Sequence, residues 1–155
     1  MADDGRKLIA SNRRARFDYE LLDRFEAGIV LFGPEVKSLR AGRANLSDAY
    51  AAVRKGELWL VSAHISPYEQ ANRDNVEPRR DRKLLMHRNE IGRLRGKIEE
   101  KGLTLVPVSL YWKDGRAKVE LALARGKRRH DKRHAIRDRE EKRDVDRALK
   151  DSRRR

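Results

Sequence analysis

Apolar and polar positions alternate along this chain most regularly near its two predicted hairpins. Leu103 to Trp112 and Arg116 to Ala124 flank Asp114-Gly115, with Val119, Leu121 and Leu123 alternating with Lys118 and Glu120. Two turn residues of this kind between such runs predict a hairpin, because both must accept positive φ. Ala49 to Val53 and Leu58 to Ile65 predict another, turning at Lys55-Gly56. Phe25 to Phe32 reads as a strand with a mixed first half and an apolar second half, ended by Gly33-Pro34. Pro34 suits the first turn of a short helix carrying Val36 and Leu39 on one side, with Gly42 as its stop. Ile91, Leu94 and Ile98 keep helical spacing across Glu90 to Lys101, with Asn89 as N-cap and Gly102 as C-terminal stop. Three strands, a helix and two strands is the order of an OB-fold, although other five-stranded barrels share the strand count. The expected class is mainly β with short helices, an OB-fold-like closed or partly open β-barrel.

Charge divides this pattern in two. The 155 residues carry 39 Lys and Arg against 25 Asp and Glu, a net +14, and the pI is near 10.5. Residues 125–155 hold 15 of the basic and 7 of the acidic side chains, a net +8. There the sizeable apolar residues are Ile136, Val145 and Leu149, too few to offset the entropy of ordering the segment alone. The expected organisation is a flexible N-terminus over 1–8, a barrel over 9–125 and a basic C-terminal tail over 126–155, disordered when free. Acid-to-base pairs such as Asp138 with Lys142 would let the tail become helical on a polyanion. A balance this basic favours nucleic acid or an acidic membrane face as partner. No apolar run approaches the ~20 residues of a membrane helix, so a cytoplasmic protein without a membrane partner, monomeric in solution, is expected. The absence of cysteine excludes disulfides and thiolate chemistry, and the His at 64, 87, 130 and 134 are scattered. No cofactor or metal is expected.

Little suggests catalysis. Gly92-Arg-Leu-Arg-Gly96-Lys97 is one residue short of a phosphate loop and falls inside the predicted helix. Ser47, Asp48 and His64 lack a strained nucleophile turn. Glu26, Glu35 and Asp48 are the carboxylates a metal nuclease would need, but carboxylates at element ends are ordinary. The long polar stretch from Ser66 to Lys83 is different. It contains Arg79, Arg80, Arg82 and Lys83 and runs directly into Leu84-Leu85-Met86-His87. Phosphate-binding groups beside an apolar surface suit RNA, whose unstacked bases need a face to lie on while Arg and Lys hold the backbone. Arg13, Arg14 and Arg16 before Phe17 repeat the theme. Trp59 and Trp112 are assigned to the core, as aromatics at strand spacing usually pack inward.

A series of motifs then follows in order: Asn12-Arg-Arg-Ala-Arg-Phe-Asp-Tyr19, Phe25-Glu-Ala-Gly28, Glu35-Val-Lys-Ser-Leu-Arg-Ala-Gly42, Ala44-Asn-Leu-Ser-Asp48, His64-Ile-Ser-Pro-Tyr68, Arg82-Lys-Leu-Leu-Met-His87, Gly102-Leu-Thr-Leu-Val-Pro107, Leu110-Tyr-Trp-Lys113, Ala124-Arg-Gly-Lys127 and Asp131-Lys-Arg133. Together they resemble the bacterial SsrA-binding protein family, partners of transfer-messenger RNA. The resemblance implies an OB-fold without catalysis. It also implies binding to the transfer-RNA-like part of that RNA and its delivery to stalled ribosomes for trans-translation and peptide tagging. It puts Glu26, Leu85 and His87 in the RNA-binding cluster; Asn12, Arg13, Arg79, Arg80, Arg82 and Lys83 complete the RNA-binding candidates. It assigns the tail to the ribosomal decoding centre and message channel, with Lys127, His130, Asp131, Lys132, Arg133 and Ile136 as candidates near its start. The Arg153-Arg154-Arg155 terminus departs from the family pattern.

Overall fold

The computed structural model describes residues 5–127, with the backbone alone described at 72–74. The elements run β1 (Lys7–Ser11), α1 (Arg13–Asp18), β2 (Tyr19–Ile29), α2 (Gly33–Arg40), β3 (Ala44–Asn45), β4 (Tyr50–Arg54), β5 (Glu57–Val61), β6 (His64–Ile65), a 3-10 segment (Glu69–Asp74), β7 (Arg82–Leu85), α3 (Arg88–Lys101), β8 (Thr104–Lys113) and β9 (Arg116–Gly126). Among the described residues the main sheet has the order β1-β8-β4-β5-β7-β2-β9, and β9 also pairs with β8. Six strands therefore close into a ring and β1 lies outside it on β8. The mainly β class with short helices is as expected, and the helix α3 does fall between the expected third and fourth strands.

Both hairpins form through the turns their sequences specify. Asp114 and Gly115 have φ of 52° and 73°, and Lys55 and Gly56 have φ of 52° and 77°. Gly102, at φ 62°, ends α3. Inside the ring, Leu58, Leu60, Leu84, Leu105, Leu110, Val119 and Leu121 are fully buried, with Leu94 of α3 and Leu39 of α2 closing over them.

Several boundaries differ from expectation, each for a physical reason. β2 starts at Tyr19, six residues before Phe25, and ends at Ile29 rather than Phe32. A register shift between Leu21 and Arg24 breaks its alternation, because a bulge inserts a residue and disturbs the period of two. The folded part begins at Lys7, not Ile9, since β1 pairs with β8 from Lys7 opposite Trp112. At the other end β9 reaches Gly126, and the Lys127 amide donates to Asp18 O at 3.0 Å. α3 starts at Arg88 with His87, not Asn89, at the cap. Trp59 faces away from the core, between Ala52 and Lys83 on neighbouring strands, whereas Trp112 packs against it.

The largest departure is β7. The stretch that reads as a basic loop ends in a strand that pairs with β5 and β2 and closes the ring. Arg82 points inward from it and is fully buried. Its guanidinium donates to Glu35 Oε2 at 2.6 Å, to Ala63 O at 2.7 Å, to Pro78 O at 2.9 Å and to Arg80 O at 3.2 Å. Glu35, on the first turn of α2, is buried with it and also receives Arg80 and the Phe32 amide. Burial alone pushes the Glu35 carboxyl up, but the hydrogen bonds from Arg80, the Phe32 amide and Arg82 outweigh it, so the group sits below its ordinary 4.5.

Removing one partner of a buried pair strands the other charge in a poorly solvating interior. Arg82→Ala is therefore expected to lower stability by about 3–5 kcal/mol in urea unfolding. The carboxyl's folded value is depressed, so its contribution is complete above pH 4.5 and is lost as pH falls through the folded value. Glu35→Gln should be less stable at neutral pH and show a flatter acid limb below pH 4.5. An unchanged limb in that variant would mean Glu35 does not carry the acid response.

Candidate nucleic-acid interface

The outward face of β2 carries Arg24, Glu26 and Gly28, facing Ala122, Glu120 and Lys118 of β9. On the other side Gly28 pairs with Leu85 of β7. Two of the sequence-predicted residues thus meet: Glu26 lies two positions from the glycine against which Leu85 rests. Leu85 is 53% exposed, while its neighbour Leu84 is buried. A Cβ at position 28 would stand 3.3 Å from the Leu85 Cβ, so glycine is what lets this leucine lie low over β2. His87 follows two residues later, exposed at the cap of α3, its carbonyl accepting from the Ile91 amide at 3.0 Å. Beside Leu85 a groove of about 320 Å³ is lined by Gly28, Leu31, Val36, Trp112, Arg116 and Lys118.

Glu26 stands directly opposite Glu120, an unfavourable arrangement of like charges unless each is compensated. Both are. Glu120 accepts from Arg24 at 3.0 Å and from the Ser109 hydroxyl at 3.3 Å. Glu26 accepts from the Tyr111 hydroxyl, from Lys113 at 3.4 Å and pairs with Arg6 at 3.5 Å. All three reach Oε2, and among the described residues no donor is found on Oε1. The Arg6 guanidinium also lies over the Tyr111 ring, 4.6 Å from its centroid. The Tyr111 hydrogen bond outweighs burial, and with help from Lys113 and Arg6 it holds the Glu26 carboxyl below 4.5. Burial and the adjacent carboxylate push the Tyr111 hydroxyl upward, so it remains a donor. Glu26 is thus a fixed anion with one oxygen able to accept from a base amine or ribose hydroxyl.

The remaining candidates divide. Arg82 is corrected: with 0% exposure it cannot touch a phosphate, and it serves the fold. Asn12 is likewise buried, capping α1 through the Ala15 amide and donating to Leu46 O and Pro107 O. Arg79 pairs with Asp48 at 3.2 Å and Lys83 with Glu57 at 3.4 Å, both on exposed side chains. Such pairs hold weakly and yield readily to a phosphate. Arg80 is mostly covered, bound to Glu35 and stacked on Phe32. Arg13 is exposed on α1, which packs at the Ala15–Val106–Ala124 end of the sheet. Lys127 leaves β9 near the same end, about 23 Å along the strand from Glu120 at 3.3 Å per residue. His130, Asp131, Lys132, Arg133 and Ile136 lie outside the described residues.

The structure does not assemble the carboxylates of a nuclease. Glu35 is buried between arginines, Asp48 is exposed between Arg14 and Arg79, and Glu26 lies on the outer sheet face. Among the described residues no His, Asp and Glu cluster is suited to a metal ion, and no helix is long and apolar enough to cross a membrane. Reasoning from sequence missed Tyr111, Lys113 and Arg6. The signal was present in the alternation of β8, where Tyr111 and Lys113 share one face.

The family described as SmpB protein matches residues 9–151. The chain belongs to the SmpB protein family. Its similarity to curated members of that family is high: the SsrA-binding protein of Acidothermus cellulolyticus is 60% identical over 147 residues, 95% of this chain and 92% of its own length. That of Frankia casuarinae is 58% identical with the same coverage. The one from Desulforudis audaxviator is 58% identical over 150 residues, covering 97% and 98%. A solved structure described as "tmRNA-SmpB: a journey to the center of the bacterial ribosome" is similar with a TM-score of 0.67 and 54% identity, covering 83% of this chain and 94% of that one.

Tyr111→Phe removes the hydroxyl that donates to Glu26 and leaves the buried ring in place. Carbon-13 NMR of the Glu26 carboxyl should show its midpoint moving up toward 4.5. No movement would show that the tyrosine does not hold the carboxylate.

Proposed function

We propose that this protein binds the transfer-RNA-like part of transfer-messenger RNA (SsrA) and delivers it to stalled ribosomes for trans-translation and peptide tagging. The observation that carries this reading is the family match across residues 9–151. The solved tmRNA–SmpB relative, at 54% identity, supports the ribosome as a second partner. A ribosome-bound role belongs in the cytoplasm. The role is binding, without a catalytic step.

Recognition is assigned to Glu26, Leu85 and His87. A carboxylate repels phosphate and therefore contributes little to general RNA affinity; it selects a site where hydroxyl or amine donors are displayed. Leu85 offers a flat apolar contact for an exposed base, and His87 a ring that stacks or donates. Arg79, Lys83 and Arg116 supply backbone contacts that position without reading sequence. The basic segment after Lys127 is assigned to the decoding centre and message channel, where surrounding RNA neutralises its charge. The body holds the RNA while the tail engages the ribosome.

Glu26→Ala or Leu85→Ala should weaken binding to the transfer-RNA-like domain by about 1–3 kcal/mol, the scale of one base contact or stack. Affinity for unstructured RNA of equal length should barely change. Wild-type discrimination in both variants would remove these residues from the site.

A chain ending at Lys127 retains β9 and its contact to Asp18, so it should bind the RNA normally yet fail to tag peptides in reconstituted translation at saturating protein. Joint replacement of Asp131, Lys132 and Arg133 by Ala should reproduce much of that failure. Full tagging by the shortened chain would eliminate the role given to the tail.

A further inference from the structure

Phe32 stands between β2 and α2 with 54% of its surface exposed, although phenylalanine is among the residue types most often buried. Its backbone amide donates to Glu35 Oε1 at 2.9 Å. The same carboxylate receives Arg80, whose guanidinium lies over the Phe32 ring at 4.6 Å from the centroid and also donates to Val30 O at 3.3 Å. The ring is therefore covered on one side by a cation that a buried anion holds from behind, and what remains of it is open to solvent. Glu35 thus organises both the backbone beneath the ring and the guanidinium above it.

The position continues the face already described. Val30, 44% exposed, hydrogen-bonds through its amide to Lys83 O at 3.0 Å, one pair beyond Ile29 with Leu84 and two beyond Gly28 with Leu85. From Glu26 to Phe32 the chain spans at most about 20 Å, roughly three nucleotide steps of an extended strand. The cations beside the ring are Arg80, held by the buried Glu35, and Lys83, in an exposed pair with Glu57 at 3.4 Å that a phosphate can displace, while the intervening Asp81 is paired with Arg54 at 2.9 Å.

We propose that the Phe32–Arg80 stack is a second base platform on this face, on which an unpaired nucleobase of the RNA held at Glu26 and Leu85 lays its ring, with Lys83 meeting that nucleotide's phosphate. The proposal rests on the RNA-binding reading above. A π surface backed by a cation favours a flat, electron-rich ring, and the adjacent lysine favours the phosphate that accompanies a base; an apolar protein knob would use neither. Because every base has a π face, the platform adds affinity with little sequence preference.

The test uses the full chain and the transfer-RNA-like domain of transfer-messenger RNA at fixed, near-physiological salt, with Phe32→Ala, Phe32→Leu, Phe32→Trp and Leu85→Ala compared in one titration. Loss of one stack is expected to weaken binding about 5- to 100-fold in Phe32→Ala and Phe32→Leu, while Phe32→Trp stays near wild type. The salt slope should not change in any Phe32 variant, since no phosphate contact is removed, and the urea midpoint should move little for so exposed a side chain. Wild-type affinity in Phe32→Ala, or full rescue by leucine, overturns the platform. So does normal RNA affinity with impaired ribosome association, which would assign Phe32 to a ribosomal partner. If Leu85→Ala weakens binding and Phe32→Ala does not, the platform alone fails; if neither weakens it, the assignment of the whole face falls.

Discussion

Arg82 lies wholly inside a strongly basic protein, and its charge is tolerable there because Glu35 and three carbonyls meet it. Bringing two charges out of water costs several kcal/mol per ion, recovered only when geometry is good and the remaining donors are satisfied. The geometry here joins four parts of the chain: α2 through Glu35, β7 through Arg82, and the Ala63 and Pro78 segments through their carbonyls. β7 is only four residues long and makes only two register pairs with β2. The Val30 amide extends that pairing to Lys83 O, and the buried ion pair ties the same short strand to α2. A hydrophobic residue in place of Arg82 could fill the space, but it could not tie the Ala63 and Pro78 carbonyls to α2.

The exposed face inherits its order from that buried contact. Leu85 is placed by β7, three residues from Arg82, and Phe32 by the Glu35 carboxylate. Glu26 depends on a second network, that of Tyr111, Lys113 and Arg6, built on the long β8–β9–β2 slab. The two networks meet where Gly28 pairs with Leu85. The absence of a Cβ at Gly28 matters there, because one would stand 3.3 Å from the Leu85 Cβ and the leucine would have to give way by a few tenths of an ångström. The candidate interface is thus flat and held by charged groups underneath or beside it, which reduces the ordering cost of binding.

Much of the fold was legible because turns and stops have local chemistry. Asp114-Gly115, Lys55-Gly56 and Gly102 all adopt the positive φ that their residues favour. What was hidden was hidden by tertiary compensation. Arg82 makes β7 look like solvent-exposed loop until Glu35, 47 positions away, is seen against it. The bulge between Leu21 and Arg24 makes the first half of β2 look irregular. Trp59 looked like core because strand alternation does not say which face is inside. In the candidate site, Glu26, Leu85 and His87 came from a family motif, since nothing in periodicity singles out one carboxylate. The basic loop was legible as charge but not as function, because a count of cations does not reveal which are already paired.

That last distinction bears on how a chain of net +14 discriminates among RNAs. Were every cation free, long-range attraction would favour all polyanions alike and specific contacts would add little contrast. In the body, Arg14, Arg24, Arg54, Arg79 and Lys83 each have an acidic partner. These exposed pairs contribute little to stability, yet they set a threshold: a phosphate must compete with a carboxylate already in place. An RNA that satisfies Glu26 and lays a base on Leu85 gains from contacts that a random strand does not make, while both must exchange the same ion pairs. Since both kinds of RNA exchange the same ion pairs, pairing lowers the general attraction for each alike, and the contrast between them rests on the contacts proposed at Glu26 and Leu85.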